Sequence, residues 1–217
     1  MKKLFLLLPI LALMMGCTSD EKSTQCPVLT VEGGQIQGIA AENPGVFVYK
    51  GIPYAAAPIG DLRWKEPQPV VPWDSIRICD SIRICDRFGH PGYQAVHYPG
   101  YYASEWGYGD ESPYSEDCLY LNVYTKAPGQ VDKKLPVALW IHGGGYREGW
   151  GTEPEFDGQE WASKDVVLVT INYRLGIFGF MPYGELSAES PHGVSGIIMR
   201  AVKGRKGGFP WNRKKMS

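Results

Sequence analysis

Apolar residues along this chain fall in short bursts separated by glycine and proline, a spacing that predicts strands and loops more than long helices. From Thr30, VEGGQIQG alternates around glycines, and GVFVYKGIPYA carries aromatic and β-branched residues between Pro44 and Pro53. Together they predict an N-terminal antiparallel hairpin. The proline-rich APIGDLRWKEPQPVVPW has no helical period and predicts an irregular surface loop. EDCLYLNVYT reads as a strand, a turn follows at Pro128 and Gly129, and LPVALWI reads as a second strand. Both strands are apolar enough for an interior. FDGQEWASKD is a short helical stretch, and DVVLVTINYR is a continuous run expected to be buried on both faces. A helical crossover between two buried strands is the βαβ unit of a mostly parallel sheet, so the predicted class is α/β.

Candidate chemistry sits at the end of the second strand. LPVALWIHGGGY runs an apolar segment straight into Gly143, Gly144 and Gly145. Adjacent glycines let successive backbone N–H groups crowd one point, because no Cβ blocks approach and positive φ costs little. Donors gathered in this way stabilise a developing negative charge, and catalytic loops of α/β sheets lie at the C-terminal ends of strands. No GxSxG nucleophile turn occurs in the chain. Gly193, Val194, Ser195 and Gly196 fall short of one, because Ile197 stands where the second glycine belongs and no strand precedes them.

Two other segments stand out. DSIRIC at 74–79 is repeated at once at 80–85. Such a duplication in a surface loop costs little closure entropy and is expected to bulge outward. Tyr93, Tyr98, Tyr101, Tyr102, Trp106, Tyr108 and Tyr114 crowd a glycine- and proline-rich window. This is either a packing loop or the lining of an apolar cleft. The window has no Lys or Arg to meet phosphates, so no nucleic-acid partner is expected.

Composition sets the compartment. The 217 residues are 44% apolar and 21% charged, with a net charge of −1, as in a globular domain with no polyanion partner. Residues 1–16 stand apart: Lys2 and Lys3 precede the apolar run Leu4 to Met15, which is too short for a bilayer span and reads as an export signal. Gly16 before Cys17, with Leu13 upstream, resembles a bacterial lipobox, in which Cys17 is lipidated and anchors the protein to the membrane. Residues 17–30 then form a tether. Cys26, Cys79, Cys85 and Cys118 would lie where disulfides persist, with pairing not readable from spacing. His90, His97, His142 and His192 form no ligand pattern, so neither a metal nor any other cofactor is expected.

Several blocks taken together resemble the type-B carboxylesterases of the α/β-hydrolase superfamily, which also includes cholinesterases and neuroligins. GIPYAAAPIGDLRW, SEDCLYLNVYT, LWIHGGGY, FDGQEWASKDVVLVTINYRLGIFGF and HGVSG fall in the family's order across 31–196. The resemblance implies an α/β-hydrolase fold, with the N-terminal hairpin and the first strands of its central sheet present. It also implies a small-molecule carboxylic ester as substrate. Gly144 and Gly145 would supply oxyanion-hole N–H groups, Gly143 would let the loop turn, and His142 would orient the loop. Arg63 would pair with Glu116. Cys118 matches a cysteine that bonds one upstream, but Gly92 stands at that partner's place, which leaves Cys79 or Cys85 as substitutes.

Beyond Gly196 the match stops. Residues 197–217, IIMRAVKGRKGGFPWNRKKMS, are basic without acidic residues and read as an out-of-frame tail. The family's aspartate partner for Arg174, its nucleophile elbow and its histidine base are not in this text. The expectation is therefore a truncated esterase with an oxyanion loop and no nucleophile, inactive alone and prone to aggregate through exposed runs such as VVLVTI. A surface lipoprotein that keeps the scaffold for binding, as neuroligins do, is the alternative.

Overall fold

In a computed structural model the described residues are 25–73, 82–95 and 114–189. The export segment, Cys17, Cys79, the aromatics from Tyr98 to Tyr108, Ser195 and the basic tail lie outside them.

Among the described residues, eight strands form two sheets. In the smaller, β1 (Val28–Val31) and β2 (Gly34–Gln37) form a hairpin, with Val31 opposite Gly34; the expected hairpin of VEGGQIQG with GVFVYKGIPYA is not formed, because the latter segment lies in the larger sheet. The larger has the order β3-β4-β6-β8-β7, built from β3 (Ile39–Ala40), β4 (Phe47–Pro53), β6 (Tyr120–Thr125), β7 (Val137–Ile141) and β8 (Val167–Ile171). Its first three pairings are antiparallel, and β7 pairs with β8 in parallel. The described strands thus run from an antiparallel edge into the first parallel pair. Among the described residues, the proline-rich segment after β4 holds a short 3-10 turn at Gly60–Leu62.

Alternation along the strands sorts side chains onto two faces. Leu121, Val123, Val169 and Ile171 join Tyr49, Ile52 and Ile36 in the main core, which the smaller sheet covers. Val48, Tyr124 and Leu168 point to the other face, where Ala162 of α1 (Gln159–Ser163) packs with Ala138 and Trp140. The connection β7–α1–β8 is the predicted βαβ unit, and β8 is buried as expected. Two further short helices follow, α2 (Gly176–Gly179) and α3 (Gly184–Ala188).

Two further expectations need correction. LPVALWI is not interior. β7 is the sheet's outer strand, and Val137, Leu139 and Ile141 are 53%, 41% and 47% exposed, because the covering hairpin does not extend over it. The exposed apolar run is therefore β7, while VVLVTI lies between β6 and β7. The DSIRIC repeat does not simply bulge outward either. Ile82–Ile84 of its second copy forms β5, parallel to β2, and Cys85 is buried beside it, its N–H donating to Gln37 O at 2.7 Å. The free edge of β2 offered unpaired backbone groups, and the repeat's β-branched residues filled it.

Candidate active site

The parallel register sets Ile141 opposite Ile171, so the chain leaves β7 at His142 beside the end of β8. Three consecutive left-handed residues follow: Gly144 (φ 103°), Gly145 (φ 60°) and Tyr146 (φ 63°). A Cβ on Gly144 would lie 2.0 Å from Glu148 O, so only glycine fits there. Gly144 O accepts from Arg147 N at 3.1 Å and Glu148 N at 3.2 Å, which closes the loop on itself. Tyr146 O accepts from Gly176 N at 2.8 Å and ties the loop to α2. Gly143, Gly144 and Gly145 are exposed, and the amides of Gly144 and Gly145 donate to no acceptor among the described residues. Two free donors on successive residues, at the C-terminal end of a strand, can bind one anionic oxygen.

Beneath the loop lies a tightly packed floor. His142 is 3% exposed, its Nδ1 is 2.9 Å from Gly143 O, and its ring stacks on Tyr173 at 4.3 Å. Tyr173 donates its hydroxyl to His142 O at 2.8 Å. Burial lowers the His142 pKa to about 4 against the opposing hydrogen bond to Gly143, so the imidazole is neutral at pH 7. Nδ1–H donates to Gly143 O, which leaves Nε2 bare, and that atom is buried with no hydrogen-bond partner among the described residues. The side chain thus contacts the loop through Gly143 O and the floor through Tyr173.

Glu153 is the second buried group, 4% exposed, with Oε1 3.4 Å from Trp150 N. Burial raises its carboxyl to about 7. Gly149 (φ 103°) is where these groups converge: a Cβ there would meet His142 Nδ1 at 2.6 Å, Gly143 O at 2.9 Å and Glu153 Oε1 at 3.1 Å. Gln94 clamps the same residue from the other side, accepting from Gly149 N at 2.9 Å and donating to Gly149 O at 3.1 Å. Asn172 Oδ1 accepts from Gly151 N at 2.6 Å and completes the support. Sequence reasoning missed Gln94, Glu153, Asn172 and Tyr173. The GYQ and NYR blocks signalled three of them by position, and nothing local signalled Glu153.

Away from the loop, Arg63 and Glu116 form a bidentate pair, Nε to Oε2 at 2.5 Å and Nη2 to Oε1 at 2.6 Å. This ties the irregular segment to the residues leading into β6. Arg174 is buried, and its Nη1 donates to Lys65 O at 2.9 Å. Cys85 does not substitute as the partner of Cys118. Both are free and buried, and Cys85 is held against β2 by its backbone bond to Gln37. Gly92 instead lies in a β-bridge with Ser115. Of the aromatic window, Tyr93 is exposed and meets Phe178 edge-on at 5.2 Å.

The Carboxylesterase family profile matches residues 25–198 of the 217. This chain belongs to the carboxylesterase family. It is 40% identical over 192 residues to the fumonisin B1 esterase of Sphingopyxis macrogoltabida, covering 84% of this chain and 32% of that one. It is 40% identical over 155 residues to the para-nitrobenzyl esterase of Bacillus subtilis strain 168, covering 71% of this chain and 29% of the relative. Among solved structures, a thermophilic para-nitrobenzyl esterase superposes with a TM-score of 0.61 at 36% identity, covering 75% of this chain and 30% of that one. A Geobacillus stearothermophilus carboxylesterase at pH 6.8 gives 0.57 at 39%, covering 73% and 28%. These relatives carry the α/β-hydrolase fold, and the carboxylesterase chain described here spans about a third of the length of the curated relatives it matches.

Proposed function

We propose that this carboxylesterase chain supplies the oxyanion-binding part of a carboxylic-ester hydrolase acting through an acyl-serine intermediate on small-molecule esters. The observation that carries the reading is the pair of unpartnered amides at Gly144 and Gly145, set at the end of β7 by a loop that admits no side chain at Gly144. As an ester carbonyl becomes tetrahedral, its oxygen gains charge, and two fixed N–H donors lower that barrier. Gly143 contributes the carbonyl that fixes His142. The 217 residues contain no GxSxG turn, so by themselves they turn over no ester.

The test grafts residues 25–189 into the para-nitrobenzyl esterase of Bacillus subtilis in place of the matching segment. The chimera is expected to hydrolyse p-nitrophenyl acetate, and Gly144→Ala, whose Cβ would lie 2.0 Å from Glu148 O and so displaces the two donors, to lower kcat by roughly 10²- to 10³-fold. A folded Gly144→Ala chimera with unchanged kcat would refute the assignment. The 217-residue chain alone is expected neither to turn over this ester nor to label stoichiometrically with a fluorophosphonate. We also propose export and lipidation at Cys17, motivated by the Leu13–Cys17 pattern. Incorporation of radiolabelled palmitate in a bacterial host, lost in Cys17→Ala, tests it, and equal labelling of that variant would contradict it.

A further inference from the structure

Between β1 and the turn at Pro128 lies an apolar cleft, lined by Leu29, Val31 and Val123 among others, with nothing among the described residues to specify an occupant. The stronger observation is the carboxyl under the glycine loop. Glu153 belongs to a 3-10 turn junction, not to the loop itself, yet its Oε1 reaches back to Trp150 N and into the space that a side chain on Gly149 would take. Within that space also lie His142 Nδ1 and Gly143 O. A carboxyl placed there is 4% exposed and has no cation facing it among the described residues, so its surroundings disfavour the anion.

We propose that Glu153 is a positioning residue for the glycine loop: as a neutral acid it holds the Gly149–Trp150 turn beneath Gly143–Gly145, and its ionisation releases that turn. The inference rests on the reading of Gly144 and Gly145 as oxyanion donors only for its catalytic meaning. The coupling itself is a property of this chain.

The surroundings select the protonated form at and below neutral pH. His142, at the end of β7, stays neutral down to about pH 4 and offers no countercharge. Tyr173, at the end of β8, is raised to about 12 and is likewise neutral. Glu155, on the same turn, adds a negative charge that opposes a second one, and the loop N–H of Trp150 is the one opposing influence. Burial is the largest cause, and together these place the Glu153 transition near pH 7. Ionisation puts a charge where only one long N–H contact receives it, and the nearest way to hydrate it is to open the turn. Gln94, which grips Gly149 through both backbone groups, carries the displacement to the other side of the loop.

Hydrogen exchange of the full chain, followed by mass spectrometry on peptides spanning 142–153 and corrected for intrinsic exchange, tests the proposal. Protection is expected to fall about tenfold for each pH unit above the transition, because the closed form then requires a proton that is progressively absent. Glu153→Gln, neutral at every pH, is expected to remove that dependence, and Glu153→Asp to retain it with a displaced midpoint. Glu155→Gln is expected to keep the fall. A wild type without the fall, a Glu153→Gln chain that still shows it, or a Glu155→Gln chain that loses it would each overturn the proposal. Since exchange is read and not ester turnover, failure here leaves the oxyanion assignment standing, and failure of the chimera leaves this coupling standing.

Discussion

His142 and Glu153 occupy one small space and should drive stability in opposite directions as pH changes. The folded His142 pKa is about 4 against an ordinary 6.5. Between those values the unfolded chain binds a proton that the folded chain refuses, so this stability is present above pH 6.5 and is lost as pH falls toward 4. The folded Glu153 pKa is about 7 against an ordinary 4.5. Between those values the folded chain keeps a proton that the unfolded chain has shed, so this stability is present below pH 4.5 and is lost as pH rises through 7. Each slope is about 1.4 kcal/mol per pH unit, and from about pH 4.5 to 6.5 they cancel. Replacing one group unmasks the other. His142→Asn should lose about 3 kcal/mol between pH 4.5 and 6.5 relative to wild type, and Glu153→Gln should gain about as much over the same interval. Urea unfolding followed by far-UV circular dichroism at pH 4.5, 5.5 and 6.5, each variant referenced to wild type at the same pH, reads the difference free of the other carboxylates. Parallel stability–pH lines for all three proteins would refute the opposition.

Other outcomes follow from packing. Gly151→Ala places a Cβ 2.7 Å from Ile171 O and 2.9 Å from its carbonyl carbon, backbone that cannot step aside, so a loss of about 1–3 kcal/mol is expected in chemical denaturation; an unchanged midpoint would contradict the close approach. Leu139→Lys places a charge on the exposed face of the outer strand and should reduce light scattering on concentration while leaving the far-UV spectrum unchanged; equal aggregation would show that β7 is not the adhesive surface. Cys85 and Cys118 are buried thiols whose pKa values burial pushes up to about 11 and about 12, so both should resist iodoacetamide at pH 8 until urea is added; native labelling of either would show the core to be open.

Much of the architecture is legible in local pattern. The bursts LYLNVYT and VVLVTI became β6 and β8, the intervening helix falls within FDGQEWASKD, and the glycine triplet lies at a strand's C-terminal end because the pattern switches there. What could not be read depends on neighbours remote in sequence. VALWI has a core strand's composition, and its exposure follows from which strands the hairpin covers. Ile82–Ile84 looked like part of an insertion, and only the vacant edge of β2 explains its pairing. Glu153 sits in TEPEF, a polar stretch that reads as an exposed turn, and it is buried because Gly149 and Gly151 let the backbone pack close. The Arg63–Glu116 pairing joins residues far apart in the chain, and only the resemblance to relatives pointed to it.

The strand formed by Ile82–Ile84 has a twin. Because the preceding hexapeptide spells the same residues, the groove beside β2 has two claimants of identical chemistry, and only the lengths of the flanking connections discriminate between them. Shifting six residues from one connection to the other changes closure entropy by under about 1 kcal/mol. The duplication thus presents this edge with two equivalent sequences, of which the second is the one paired with β2.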